Sequence, residues 1–213
     1  VHVQCGACQV IPGSGGFDPD EVIDLIEKWQ GATLFLAPTM VTRLMNAPRL
    51  QNADTTNLKT IVYGGAPMYL EDCLKALKLL GPKLVQIYGQ GEAPMTITAV
   101  SREVHTQCDH PKYHERLASV GTAQSGVEVR VVNTDDTDVQ AGDIGEIVVR
   151  GDVVMRGYWN NPDASSRTLR GGWLHTGDMG VFDSDGYLTL KDRSKDLIIS
   201  GGSNIYPREI EEI

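Results

Sequence analysis

Asp178 and Arg193 are the residues whose types and spacing point most directly to chemistry. The first closes the tract Gly172-Trp-Leu-His-Thr-Gly-Asp178 and the second sits in Asp192-Arg-Ser-Lys195. The two tracts read as one short β-hairpin. A carboxylate only accepts hydrogen bonds and a guanidinium only donates them, so the pair suits the polar groups of a nucleotide. Two glycine-bearing stretches, Tyr63-Gly-Gly-Ala-Pro67 and Tyr88-Gly-Gln-Gly-Glu-Ala-Pro94, offer backbone that can approach a flat ligand closely. A third glycine turn lies in Ile198-Ile-Ser-Gly-Gly-Ser-Asn-Ile-Tyr-Pro207.

Other candidate sites carry less. Cys5-Gly-Ala-Cys8 has the spacing of a redox or metal half-site, but no second CxxC follows. Two ordinary thiols in a small-residue turn are the plainer reading. His105, Cys108, His110 and His114 match no standard zinc spacing and fall in a polar, loop-like run.

Composition narrows the function classes. The chain has 213 residues, 41% of them apolar, and a net charge of −9. That is enough chain for one large domain or two small ones with a sizeable core. The acidic balance argues against a nucleic-acid or anionic-membrane surface as the main partner. No stretch approaches the ~20 apolar residues of a membrane span, and Val1-His-Val-Gln-Cys5 lacks a signal peptide's basic and apolar regions. Four cysteines in so long a chain make no disulfide framework, so a reducing cytoplasm is expected.

The elements that must position these residues follow from patterning. Residues 18–30 read as a helix capped by Asp18, with Pro19 in the first turn and Glu21 completing a capping box. Val22, Leu25, Ile26 and Trp29 form its buried stripe. Thr33–Leu36 reads as a short buried strand, and Pro38 opens a helix through Asn46. Lys59–Tyr63 is a strand ending at Gly64-Gly65, Tyr69–Leu80 a helix, and Lys83–Tyr88 a strand ending at Gly89. Alternating strands and helices imply a parallel sheet whose ligands gather at the strands' carboxyl ends, where both glycine loops lie. Beyond residue 118 the segments Val127–Val132, Gly145–Arg150, Gly180–Asp183 and Gly186–Leu190 read as antiparallel strands. A short helix capped by Asn161 interrupts them, and a further unit starts at Asp196. The fold class expected is α/β: a parallel sheet with flanking helices, then an antiparallel β subdomain, then the start of a small α+β domain.

The four tracts, in this order, resemble the adenylate-forming superfamily of acyl-CoA synthetases, peptide-synthetase adenylation domains and beetle luciferases. The resemblance spans essentially the whole chain. Within the superfamily, Ile198–Pro207 and Glu92-Ala-Pro-Met95 look most like fatty-acid or aromatic-acid CoA ligases. It implies ATP-dependent activation of a carboxylic acid to an acyl adenylate, then thioester formation with CoA. By resemblance, Tyr88 stacks on adenine, Gly64, Gly65, Ala66 and Pro67 pass beside the base edge, and Gly89, Gln90 and Gly91 line the nucleotide. Glu92 helps hold Mg²⁺, while Asp178 and Arg193 hold the ribose. Lys195 is the hinge of a mobile C-terminal domain, and Gly201 and Gly202 line the CoA passage. The implied organisation is an α/β part over 1–117, a β subdomain over 118–192, a hinge at 193–195 and the beginning of the C-terminal domain over 196–213.

One position departs from the family. Its loop usually reads Tyr-Gly-x-Thr-Glu, with the threonine hydroxyl on phosphate; here Gly91 stands in that place. The resemblance also puts a Ser/Thr/Gly-rich phosphate loop before Val1 and a catalytic lysine beyond Ile213, so residues 1–213 alone are expected to be inactive. An adenylation domain that loads a carrier protein, or a non-catalytic AMP-binding module, are the alternative functions.

Overall fold

The computed structural model describes residues 4–66 and 68–193 and the strand segments 198–200 and 203–205; from residue 192 onward it describes the backbone alone. Helix α1 (Pro19–Lys28) begins as its sequence requires. The Asp18 carboxylate accepts from the amides of Asp20 at 2.9 Å and Glu21 at 3.5 Å, satisfying donors that have no partner inside the helix. Glu21 does not close the expected capping box. It accepts instead from the amides of Gly13 and Ser14, at 2.5 and 3.1 Å, and ties the preceding loop to the helix. The expected apolar stripe also shifts. Ile23 is buried beside Val22 and Ile26, while Trp29 is exposed, because the helix ends at Lys28 and Trp29 turns extended.

Strand β1 (Ala32–Leu36), helix α2 (Pro38–Met45), strand β2 (Leu58–Tyr63), helix α3 (Leu70–Leu80) and strand β3 (Leu84–Gln90) follow. β1, β2 and β3 are parallel neighbours, as the alternation of elements implies. β1 is the sheet's edge and alternates rather than being buried throughout: Leu36 is inside and Phe35 is 58% exposed. Beyond β3 the structure departs from the sequence reading. The chain folds back through Gly91 and Glu92 into β4 (Ala93–Val100), antiparallel to β3. The stretch expected as an 88–94 loop is therefore the tip of a β-hairpin. After helix α4 (Tyr113–Ala118), β5 (Thr122–Ala123) pairs with β4, so the first sheet continues to Ala123 in the order β1-β2-β3-β4-β5.

The second sheet is an antiparallel meander of β6 (Val127–Val132), β7 (Gly145–Gly151), β8 (Leu174–Phe182) and β9 (Leu188–Arg193). Helix α5 (Pro162–Thr168) lies between β7 and β8, and Asn161 Oδ1 caps it by accepting from the Ala164 amide at 3.1 Å. Trp173–Asp178 thus runs into a strand that begins at Leu174, earlier than the expected Gly180. Strands β10 (Ile198–Ser200) and β11 (Ser203–Ile205) form a separate hairpin.

Two apolar clusters hold the fold. The first packs α1, α2 and α3 on the parallel strands, with Val41, Leu44, Ile61, Cys73 and Leu84 fully buried. The second joins Tyr88, Ala93 and Ile97 of the hairpin to Ile147, Leu174 and Leu188 of the meander. Each buried Val, Leu or Ile among them contributes ~1.5–3 kcal/mol by leaving water. Because β3 and β4 contribute to the second cluster, the two sheets meet along the hairpin, and Tyr88, Gln90 and Asp178 lie on that seam.

Candidate functional site

β7 and β8 run in register except at one place. Glu146 faces Met179 and Val148 faces His175, so Thr176, Gly177 and Asp178 of β8 stand opposite Ile147 alone. Such a bulge orphans ladder groups, and buried orphans cost free energy. Here side chains satisfy them. Thr176 Oγ1 donates to the Ile147 carbonyl at 2.7 Å and accepts from the Asp178 amide at 3.1 Å. The Gly177 amide donates to Glu146 Oε1 at 3.1 Å, and Gly177 takes φ +70°, a conformation that favours glycine. Glu146 Oε2 lies 2.9 Å from His175 Nδ1, which donates to it, and 3.4 Å from an Arg170 guanidinium nitrogen. The Thr-Gly-Asp sequence is a bulge held by its own hydroxyl and by Glu146.

The bulge presents Asp178 to the hairpin. Asp178 is 8% exposed, and its Oδ2 accepts from the Tyr88 hydroxyl at 2.6 Å and from Gln90 Nε2 at 2.7 Å. Gln90 Nε2 also donates to the Thr176 carbonyl at 2.9 Å. Across the β8–β9 ladder, Asp178 faces Arg193 in backbone register, after a one-residue shift between Met179 and Gly180. Tyr88 is 7% exposed and packs within the second cluster, with its hydroxyl on the carboxylate.

The hairpin tip is gripped from its other side as well. The Glu92 carbonyl accepts from the Met155 amide at 2.8 Å, and Glu92 Oε1 accepts from the Tyr158 hydroxyl at 2.5 Å. That bond to a carboxylate raises the Tyr158 hydroxyl above the ordinary phenol pKa, with burial adding to the effect. A cavity of about 300 Å³ opens between the tip, the bulge and α5, lined by Glu92, Tyr158, Glu146 and Thr176 and by the cations Arg167 and Arg170. Among the described residues no cluster of three or more His, Cys, Asp or Glu is arranged for a metal. Mg²⁺ needs none. It keeps several waters and takes one or two carboxylates plus substrate phosphates, which Glu92 at this cavity suits. A Cβ on Gly91 would meet nothing within 4 Å. Gly91→Thr is therefore expected to stay within about 0.5 kcal/mol of the parent in urea unfolding; a larger loss would show that the space is not free.

The remaining expected site residues divide. Gly64 follows β2 and abuts the second motif: a Cβ there would lie 2.5 Å from the Ile87 carbonyl. Gly65 and Ala66 are exposed beside it. Pro67, Lys195, Gly201 and Gly202 lie outside the described residues, as does the side chain of Arg193. Residues that sequence reasoning missed are Glu146, Tyr158, His175 and Thr176, of which only the His-Thr of the Trp173–Asp178 tract was visible as part of a motif. Of the histidine–cysteine run, His105 is buried. Its Nδ1 donates to the Ser101 carbonyl at 2.7 Å, its Nε2 lies 3.3 Å from the Tyr63 hydroxyl, and burial lowers its pKa. The two early cysteines are exposed. Among the described residues no helix is long and apolar enough to cross a membrane.

Residues 1–159 match the model of the AMP-binding enzyme family. The chain is 38% identical over 92% of its length to the medium/long-chain-fatty-acid–CoA ligase FadD8 of Mycobacterium tuberculosis, covering 33% of that protein. It is also 38% identical over 92% of its length to a feruloyl-CoA synthase of Amycolatopsis, of which it covers 38%. Among solved structures, the amide bond synthetase McbA of Marinactinospora thermotolerans superposes with a TM-score of 0.86 at 36% identity, over 94% of this chain and 40% of that one. The o-succinylbenzoate-CoA synthetase of Bacillus subtilis in complex with AMP gives 0.79 at 31% identity, over 92% and 38%. The chain spans about a third of the length of the curated relatives it matches.

Proposed function

The chain belongs to the AMP-binding enzyme family, and on that premise we propose that it supplies the nucleotide-facing part of an AMP-forming acyl-CoA synthetase. The observation that carries this is the Asp178 carboxylate, raised on the β8 bulge, fixed by Tyr88 and Gln90, and facing Arg193 across the ladder. In this role Asp178 accepts hydrogen bonds from the ribose hydroxyls and Arg193 donates to the same sugar. Tyr88 and the Gly64–Pro67 loop border the adenine. On the same family reading, Lys195 would serve as the hinge and Gly201 and Gly202 would border the CoA passage.

In the first step the substrate carboxylate attacks the α-phosphorus of ATP, forming a P–O bond and releasing pyrophosphate. The CoA thiolate then attacks the acyl carbon, the C–S bond forms, and AMP leaves. Both steps depend on position and on neutralising phosphate charge more than on proton transfer. Glu92 would hold Mg²⁺, which when bound neutralises the phosphate oxygens. Tyr158 keeps the Glu92 carboxylate oriented toward the cavity.

The acid class we favour has an apolar fatty or aryl body, since the relatives named above are fatty-acid and feruloyl-CoA ligases. Their being CoA ligases also speaks against carrier-protein loading. A reducing cytoplasm suits a chain whose four cysteines are free. The test is pyrophosphate release by the whole protein across aliphatic acids of graded length and aryl acids, with and without CoA. Release with such acids, and AMP formation that needs CoA, is the expected result. No release with any acid, or cleavage of ATP to ADP, would overturn the reading. Turnover with an amine in place of CoA would place the protein with the amide-forming enzymes among its structural matches.

A further inference from the structure

We infer that Glu146 is a positioning residue for nucleotide binding, acting through the Thr176–Asp178 bulge. The inference rests on the nucleotide role proposed for Asp178, and goes beyond it to a residue on another strand. Glu146 is the last β7 residue paired before the bulge, where it faces Met179. One of its oxygens takes the Gly177 amide and the other takes His175 Nδ1, the residues on either side of Thr176. Thr176 in turn takes the Asp178 amide. The carboxylate therefore fixes the Thr176–Gly177 peptide and the side chain of His175 at the bulge's other end, while Thr176 Oγ1 holds the peptide that follows. Without Glu146 that amide would turn toward water, and the Asp178 carboxylate would leave the place set by Tyr88 and Gln90.

Chemistry separates this from a general contribution to folding. In Glu146→Gln the side-chain oxygen can still accept from Gly177. Its amide then faces His175 Nδ1, which can switch tautomer and accept; the Nε2–H would point toward Asp136 Oδ1, 3.9 Å away. Glu146→Asp keeps the charge but draws the carboxylate back by one methylene, out of reach of Gly177.

The experiment measures AMP binding to the whole protein by calorimetry, with KM for ATP and for the carboxylic acid in pyrophosphate exchange, and the melting temperature of each variant. Glu146→Ala and Glu146→Asp are expected to weaken AMP and raise KM for ATP about tenfold, the loss of one good hydrogen bond's worth of binding. KM for the acid is expected to stay within about twofold and Glu146→Gln within about threefold of the parent, differences of well under 1 kcal/mol. If the alanine variant does not fold, the aspartate variant decides. AMP affinity unchanged in a folded Glu146→Asp, or equal loss for ATP and acid, would overturn the proposal. Asp178→Ala is measured alongside. If Asp178→Ala weakens AMP and Glu146→Asp does not, the positioning role alone fails; if Asp178→Ala leaves AMP binding intact, the nucleotide reading fails and takes this inference with it.

Discussion

Replacing Asp178 by alanine in the whole protein is expected to weaken AMP binding about a hundredfold, the combined value of two hydrogen bonds to a charged acceptor. The same change removes the acceptor of two donors at a buried place, the Tyr88 hydroxyl and Gln90 Nε2. Left unmade, those bonds should lower the unfolding free energy by about 2 kcal/mol. Asp178→Asn distinguishes the two effects. Its amide oxygen can still accept from Tyr88 and Gln90, so stability should largely return, while affinity stays reduced because a neutral amide is a weaker acceptor for ribose hydroxyls. Calorimetry with AMP and urea unfolding of both variants measure this. An alanine variant that binds AMP like the parent would sink the ribose assignment.

Gly89→Ala is expected to be the most damaging small substitution in the hairpin. A Cβ there would lie 2.3 Å from the Met95 nitrogen and 2.6 Å from the Ala93 carbonyl, both backbone, so β3 and β4 would have to separate. Overpacking of this kind costs about 3 kcal/mol. Parting the strands also moves Gln90 off Asp178 and Glu92 off Tyr158, so nucleotide binding should fall with stability. Gly91→Ala, two residues along, meets open space and should do neither. Urea midpoints of the two variants, measured side by side, are the check. A Gly89→Ala protein within about 0.5 kcal/mol of the parent, the range of an ordinary surface change, would refute the crowding argument.

What could be read from the sequence depended on whether the signal was local. The Asp18 and Asn161 caps and the prolines at helix starts rest on residues within a few positions of each other, and all are found. The parallel pairing is long-range, but the alternation of short elements announced it. That Asp178 and Arg193 flank one hairpin was legible, but their direct facing was not. The register set near the turn would put Asp178 opposite Asp192, and a one-residue shift at Lys191 brings Arg193 there instead. β4 was not legible either. Its Ala-Pro-Met-Thr start carries no alternation, and only pairing with β3 makes it a strand. Glu21 was assigned the local partner that helix caps favour, while the distant amides of Gly13 and Ser14 were the better donors. Glu146 and Tyr158 were invisible for the same reason. Each matters only through a residue on another element, His175 and Gly177 in one case and Glu92 in the other. Family resemblance supplied the chemical roles; the structure supplied the braces that hold them.

The β8 bulge has a further consequence, which concerns parity. Side chains on a strand alternate between faces, so one inserted residue turns every later side chain to the wrong side. The bulge inserts two residues on β8 relative to β7. Leu174 before it and Gly180 after it therefore still face the same core, where a Cβ on Gly180 would meet Ile147 and Leu188. An even insertion keeps the β7–β8 core alternation in phase while setting a buried carboxylate at the seam that a regular ladder could not place there. Substitutions within Thr176–Asp178 can then change what the site holds without re-sorting the core on either side.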